Sequence, residues 1–174
     1  MCKISLSKKM YDYLVWHVDE IEKEQELLFK ELYTEETHES KNFKAFFREY
    51  LDSLNSYLSK ASVGPGGKST CPFVIIGSIV DVLDSDDMEE YKYRVVLPYA
   101  SQQDTGIDYA SCLSPLGRSL LFKCENENIS IQIPTGELHY LVKKITIPEA
   151  STSNSNDSTD ILSPVFTTAR SINI

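Results

Sequence analysis

The fold of the first third of this 174-residue chain follows from the stretch Leu14-Val-Trp-His-Val-Asp-Glu-Ile-Glu-Lys-Glu-Gln-Glu-Leu-Leu-Phe-Lys-Glu-Leu32. Its apolar residues recur at Leu14, Val18, Ile21, Leu28 and Leu32, and Gln25 completes an alternating spacing of four and three. This spacing is typical of the buried seam of a coiled coil. Neither Gly nor Pro occurs from Leu6 to Ser62, so the sequence predicts long uninterrupted helices.

A second helix is predicted after the polar residues 33–40, which favour a turn. The same spacing reappears there, at Phe43, Phe47, Tyr50 or Leu51, Leu54, and Tyr57 or Leu58. Two helices joined by a short turn pack antiparallel. Helices of about 20 to 27 residues would make a hairpin roughly 30 to 40 Å long. Trp16 and His17 are assigned to the first helix without a functional role.

The second half of the chain changes architecture. Gly and Pro in residues 63–72 end the helical pattern and predict a linker. Runs of β-branched and aromatic residues follow at 73–83, 91–97, 107–113, 129–133 and 138–147, with turn residues at 84–87 and 134–136. Ser114 at a helix N-cap and Pro115 at the first helical position predict one short helix.

The sequence therefore predicts an α+β fold in four parts. Residues 1–62 form an antiparallel coiled-coil hairpin, residues 63–72 a linker, and residues 73–148 an antiparallel sheet with one short helix. Residues 149–174 are too polar to offset the entropy of ordering them, so a disordered tail is expected.

Composition limits the partners and the compartment. The chain carries 17 Lys and Arg against 26 Asp and Glu, and a net charge of −9 disfavours direct DNA binding and anionic membranes. Its four cysteines are far apart and predict buried reduced thiols rather than a zinc site. The sequence offers no membrane-length apolar run and no signal-peptide core, so a cytoplasmic protein is expected.

An ordered series of motifs runs through the second half of the chain. Gly77-Ser-Ile-Val-Asp-Val-Leu83 precedes Ser114-Pro-Leu-Gly-Arg-Ser-Leu-Leu121, and Ile133-Pro-Thr-Gly136 follows it. The series resembles the bacterial Gre-type transcript cleavage and elongation factors, in which S-P-(L/I)-(G/A)-R-(A/G)-L-(L/I) is similar to residues 114–121. Tyr91-Lys-Tyr-Arg-Val-Val96 lies where the family has a Y-x-I-V strand. The resemblance covers about residues 6–147 and implies an FKBP-like C-terminal domain.

The departures from the family pattern mark a divergent member. After Val96 the family has G-x-D-E-A-D, whereas this chain has Leu97-Pro-Tyr-Ala-Ser-Gln-Gln-Asp104, closer to the Rnk regulators of nucleoside diphosphate kinase. Phe122 and Asn126 replace two glycines of the family. Asn tolerates the left-handed conformation, and Phe122 predicts a locally different geometry.

The resemblance assigns a role to the turn between the helices. The family's tip pattern, D-x-x-E-N-x-E-Y, aligns with Glu36, Glu39, Ser40, Asn42 and Phe43. In the family, the hairpin enters the secondary channel of RNA polymerase, and its tip carboxylates help the polymerase hold a second Mg²⁺ for cleavage of the nascent RNA. Glu36 and Glu39 are therefore the candidate catalytic and metal residues, sharing Mg²⁺ only in the complex. The free protein would need no cofactor.

The resemblance also assigns a docking surface. Ser114, Pro115 and Arg118 would contact the β′ subunit of RNA polymerase at the channel rim, and the protein would act through the polymerase's active site rather than as an enzyme itself. Contact with RNA would be indirect, at the nascent 3′ end.

Several alternatives remain at this stage. Asn42 in place of an acid also fits an inhibitor that occupies the channel, or a Rnk-like regulator without cleavage activity. The glutamates could act only by placing negative charge at the start of the second helix, where it interacts favourably with the helix dipole. Likewise, the only role of Ser114, Pro115 and Arg118 could be to shape the start of their helix. His38 could transfer protons near neutral pH, although an exposed turn histidine without function is the simpler interpretation. An FKBP-like shape also suggests a prolyl isomerase, but fold alone does not carry that function.

Overall fold

The computed structural model describes residues 5–101 and 106–148, and the chain divides into two compact units between Thr70 and Cys71. The elements run in the order α1 (Lys8–Leu32), α2 (His38–Leu58), β1 (Ile79–Asp84), β2 (Glu90–Val96), β3 (Asp108–Ser111), α3 (Pro115–Leu120), β4 (Asn128–Ile133) and β5 (Gly136–Thr146). No helix among the described residues is both long and apolar enough to cross a membrane. The predicted tail, residues 149–174, lies outside the described residues.

The first unit is the predicted pair of helices. The Ser7 hydroxyl accepts a hydrogen bond from the Met10 backbone N–H and caps α1. Seam residues from both helices are buried, as the heptad spacing predicted: Leu14, Val18, Ile21, Leu28, Phe43, Phe47, Tyr50, Leu54 and Leu58. Burial of these apolar faces is what stabilises two helices of this length, because intrinsic propensity contributes little.

His17 is part of this core. Its ring is completely buried, and its Nε2 lies 2.8 Å from the Tyr50 hydroxyl on the facing helix. Burial lowers the pKa of His17 to about 3, since the charged imidazolium would lose its hydration. The histidine is therefore neutral in the folded hairpin at physiological pH, a role that the sequence analysis did not assign to it.

The segment predicted as a linker packs on the start of the chain. Leu6 forms parallel bridges with Val63 and Lys68. Its N–H donates to the Ser62 carbonyl at 2.8 Å, and the Ser7 N–H donates to the Lys68 carbonyl at 2.9 Å. Residues 63–70 therefore belong to the hairpin unit.

Replacing Gly67 by Ala is expected to destabilise this unit by about 1 to 3 kcal/mol, the usual cost of overpacking. A Cβ at position 67 would lie 2.0 Å from the Leu6 carbonyl carbon and oxygen, so the bridges of Leu6 must shift. Urea unfolding followed by circular dichroism at 222 nm measures the effect. Gly66→Ala is the matched control, because a Cβ there meets nothing within 4 Å. Equal midpoints for both variants would contradict the prediction.

The second unit is a five-stranded sheet in the order β3-β2-β1-β5-β4. Three pairs of neighbouring strands are antiparallel, but β2 and β3 are parallel, with Val96 opposite Ser111. The prediction of an antiparallel sheet is therefore wrong at this edge. Residues 97–107 between these strands are long enough to bring the chain back to the level of Tyr93, opposite which β3 begins, and a tight hairpin turn cannot do this.

The core of this unit includes a buried run that was predicted as a strand. Phe73, Val74, Ile75 and Ile76 are buried, yet β1 begins only at Ile79. The prediction of one strand over residues 73–83 is wrong, because Gly77, with φ of 96°, turns the chain before the sheet begins. Val74 instead exchanges backbone hydrogen bonds with Phe122 and Lys123, after α3. The predicted turn with a positive φ at Gly136 is confirmed.

The cysteines follow the prediction in part. Cys71 and Cys112 are buried free thiols, and burial raises the pKa of each to about 12, so both remain protonated at neutral pH. Cys124 is disulfide-bonded, so the prediction of a reduced thiol is wrong at that position.

Candidate functional site

The turn between α1 and α2, residues 33–37, and the first turn of α2 carry the two candidate carboxylates. Thr37 caps α2 by accepting a hydrogen bond from the Ser40 N–H at 3.1 Å, and the Ser40 hydroxyl lies 2.9 Å from the Thr37 N–H. This reciprocal capping box fixes the backbone between Glu36 and Glu39. Glu36 precedes the cap, and Glu39 lies in the first turn of the helix.

Both carboxylates are available to a partner. Glu36 and Glu39 are exposed. Glu36 has an ion pair with Lys41 at 4.0 Å, and its side chain is 74% exposed, so this contact constrains it little. Within residues 5–101 and 106–148, Glu39 makes no hydrogen bond or ion pair through its carboxylate, and no group of three or more His, Cys, Asp or Glu side chains could hold a metal ion. Carboxylate oxygens are the donors that Mg²⁺ prefers, and the assignment of a shared Mg²⁺ to Glu36 and Glu39 stays a prediction.

The family's tip pattern has a third acidic residue, and this chain has Asn42 at that position. The Asn42 side chain lies in the first turns of α2, with its Nδ2 3.1 Å from His38 Nδ1. His38 is exposed and pairs with this amide. Residue 42 therefore presents a neutral amide, in contact with His38, where the family's tip pattern has an acid.

An aromatic cluster supports the turn, and the heptad spacing predicted only part of it. This tip cluster comprises Phe29, Tyr33, Phe43 and Phe47. The ring centroids of Phe43 and Phe47 are 4.7 Å apart, and Lys44 Nζ lies 4.1 Å from the centroid of the Phe29 ring. Such contacts stabilise beyond burial alone. The available signal was aromatic residues four apart on both sides of the turn.

Ser114, Pro115 and Arg118 form the second predicted site, at the start of α3. The Ser114 hydroxyl accepts a hydrogen bond from the Gly117 N–H at 3.0 Å and donates one to the Ser111 carbonyl at 2.7 Å. Pro115 and Arg118 are exposed. The structure therefore brings the three residues together on one short helix and gives Ser114 a structural role as its N-cap.

The local packing explains the glycine in this motif. A Cβ on Gly117 would lie 2.0 Å from the Ser111 carbonyl oxygen. After the helix, Phe122 itself adopts a left-handed φ of 64°, and its ring packs 5.8 Å from that of Phe73. The prediction of a different geometry at Phe122 is therefore wrong. The phenylalanine adopts the left-handed conformation that glycine usually supplies, and its ring packs against Phe73. Asn126 has a φ of 66°, as predicted.

Three tyrosines meet on the sheet. The ring centroids of Tyr91, Tyr93 and Tyr140 lie 6.1 to 6.3 Å from one another, and the hydroxyls of Tyr93 and Tyr140 are 3.4 Å apart. A hydrogen bond to Glu89 raises the pKa of Tyr91 to about 12. Burial also raises the pKa of Tyr93 above its ordinary value. Tyr140 is far from the other two along the chain, and the pairing of β2 and β5 with β1 brings the three together.

Comparison with known proteins agrees with these features. Residues 69–147 match the family model described as transcription elongation factor, GreA/GreB, C-term. Transcription elongation factor GreA of Wolinella succinogenes is 30% identical over 116 residues, which cover 67% of this chain and 70% of the relative. GreA of Novosphingobium aromaticivorans is 31% identical over 110 residues, which cover 63% of this chain and 68% of that relative.

A solved structure is also similar. The prokaryotic transcription elongation factor GreA/GreB from Nitrosomonas europaea aligns with 20% identity and a TM-score of 0.44, covering 84% of this chain and 99% of that one. The family-model match and the identity to the GreA factors show the class of protein, the transcription elongation factors. The chain belongs to the GreA/GreB family.

Proposed function

We propose that this protein binds RNA polymerase, inserts the turn between α1 and α2 into the secondary channel, and stimulates cleavage of backtracked RNA. The observation that carries the proposal is the pair of exposed glutamates, Glu36 and Glu39, held by a capping box at the end of the hairpin. The relatives from Wolinella and Novosphingobium are elongation factors, which supports polymerase as the partner.

The residues of this chain would position the reaction rather than perform it alone. Glu36 and Glu39 would offer carboxylate oxygens to a Mg²⁺ that the polymerase also binds, and to its water ligands. When bound, that ion supplies an activated water and stabilises charge on the phosphodiester. The tip cluster would keep the turn rigid, so that the carboxylates enter the complex with little loss of entropy.

Docking would use the sheet unit. Ser114, Pro115 and Arg118 would contact the β′ subunit at the channel rim, with Ser114 acting mainly by holding the start of α3. The protein would therefore act through the polymerase's active site and not as an enzyme itself. The net charge of −9 disfavours independent contact with DNA.

A second function is inhibition by occupancy of the channel. Asn42, with its amide beside His38, provides a neutral group where the family's tip pattern has an acid. A tip with fewer charges would block the channel while holding Mg²⁺ less well. This alternative uses the same docking surface and differs only in its effect on cleavage.

A backtracked complex with end-labelled RNA tests the proposal. Addition of the protein with Mg²⁺ is expected to shorten the transcript faster than the polymerase does alone, by about tenfold or more if the carboxylates stabilise the transition state by over 1.4 kcal/mol. Slower cleavage with retained binding would favour inhibition. Absence of binding to core polymerase at micromolar concentrations would reject both functions.

A further inference from the structure

An exposed aromatic residue follows β2, the strand that pairs with β3 shortly before the proposed docking surface. Tyr99 follows β2, and 70% of its surface is exposed. The two residues before it, Leu97 and Pro98, are buried and anchor the loop. Tyr99 itself has a left-handed φ of 65°, which is rare for a bulky residue. Neither burial nor backbone preference therefore explains a tyrosine at this position.

The parallel pair of strands places Tyr99 near the Ser-Pro motif. Val96 lies opposite Ser111, and the Cys112 N–H donates to the Val96 carbonyl at 2.8 Å. Parallel strands end at the same edge of a sheet, about 4.8 Å apart. Tyr99 is three residues beyond Val96, and Ser114 is three residues beyond Ser111. Both loops therefore leave the sheet at the edge where α3 packs against β2 and β3.

A second residue, Met88, shows that a strained backbone and an exposed side chain are not enough to mark a residue as a binding contact. Met88 has a φ of 63° and is 69% exposed, so it matches Tyr99 in both respects. Met88, however, lies in the turn between β1 and β2, at the opposite end of β2 from Val96. What distinguishes Tyr99 is its place at the edge that carries Ser114 and Pro115.

We propose that Tyr99 is a specificity-determining contact with RNA polymerase, inserting its ring into an apolar patch beside the one that receives Ser114 and Pro115. The inference rests on the proposed function. Residues 97–101 carry no charge, so this contact is apolar rather than ionic. Tyrosine is enriched among the few residues that dominate binding at protein interfaces, because a rigid ring buries a large area at low entropic cost.

Binding of the full chain to core RNA polymerase tests the inference with three variants. Tyr99→Asn is expected to bind about tenfold more weakly or worse, while Tyr99→Phe binds like the wild type because the ring remains. Met88→Asn is the matched control and should leave binding unchanged. The ratio between wild type and Tyr99→Asn should be the same at 50 and 200 mM salt, since an apolar contact is not screened.

Thermal unfolding separates binding from folding. Asn tolerates a positive φ better than tyrosine, so Tyr99→Asn should unfold at or above the wild-type temperature. Equal binding of Tyr99→Asn and wild type would overturn the inference, as would weakened binding of Tyr99→Phe. If Pro115→Ala weakens binding and Tyr99→Asn does not, the docking surface stands and the role of Tyr99 fails. If the wild type does not bind, both fail.

Discussion

Replacing both Glu36 and Glu39 by Gln is expected to slow factor-stimulated RNA cleavage by about 10- to 100-fold, with binding to the polymerase retained. Glutamine keeps the length and the hydrogen-bonding capacity of the side chain but lacks the charge that Mg²⁺ requires. The turn itself should survive. Its capping box uses Thr37 and Ser40, and loss of a favourable charge near the helix start costs about 0.3 to 1 kcal/mol.

The measurement is the rate of transcript shortening in a stalled, backtracked complex, together with the affinity for that complex. Glu22→Gln combined with Glu26→Gln is the matched control, because it changes the net charge equally on the exposed surface of α1. If the Glu36 and Glu39 variant cleaves as fast as the wild type, the carboxylate mechanism is wrong. If the wild type and the Glu36 and Glu39 variant slow transcription equally, the tip acts by occupying the channel.

The hairpin could be predicted from sequence because its determining interactions are local and periodic. Apolar residues at alternating spacings of four and three specify the seam. Thr37 and Ser40, which cap the start of α2, are only three residues apart in the sequence. The heptad spacing did not reveal that His17 is also buried, since its partner, Tyr50, is 33 residues away on the facing helix.

The sheet was less predictable because its pairing depends on distant contacts. Residues 107–113 predicted a strand, but nothing local to them specified whether it would run parallel to β2. Residues 63–70 carried a clear signal for the end of a helix and none for their bridges to Leu6. Composition identifies where regular structure stops, whereas the packing of the following segment depends on residues elsewhere in the chain.

The candidate site shows the same division. The positions of Glu36 and Glu39 at the turn followed from sequence, and so did the N-cap role of Ser114. Their surroundings did not. The tip cluster joins Phe29 on α1 and Tyr33, which caps the end of α1, to Phe43 on α2. Only the parallel pairing of β2 and β3 brings the loops of Tyr99 and Ser114 to one edge of the sheet.

Acidification from pH 7 to pH 5 is expected to remove about 2 kcal/mol of the hairpin's stability through His17 alone. An unfolded histidine has a pKa near 6.5, and burial lowers the pKa of His17 to about 3. Between these values the unfolded chain binds a proton that the folded chain excludes. The contribution is therefore present above about pH 6.5, falls as the pH decreases, and is lost when the pH reaches about 3.

Urea unfolding at pH 7 and pH 5, followed by circular dichroism at 222 nm, measures this dependence. His17→Gln should lose the His17 contribution to it whatever its absolute stability, because an amide does not titrate. The carboxylates contribute alike to wild type and variant, so the difference between their pH dependences isolates His17. His38→Gln is the control within the same hairpin, because it makes the same substitution at an exposed histidine. Equal pH dependence of wild type and His17→Gln would mean that the imidazole is hydrated in the folded hairpin, contrary to its complete burial against Tyr50.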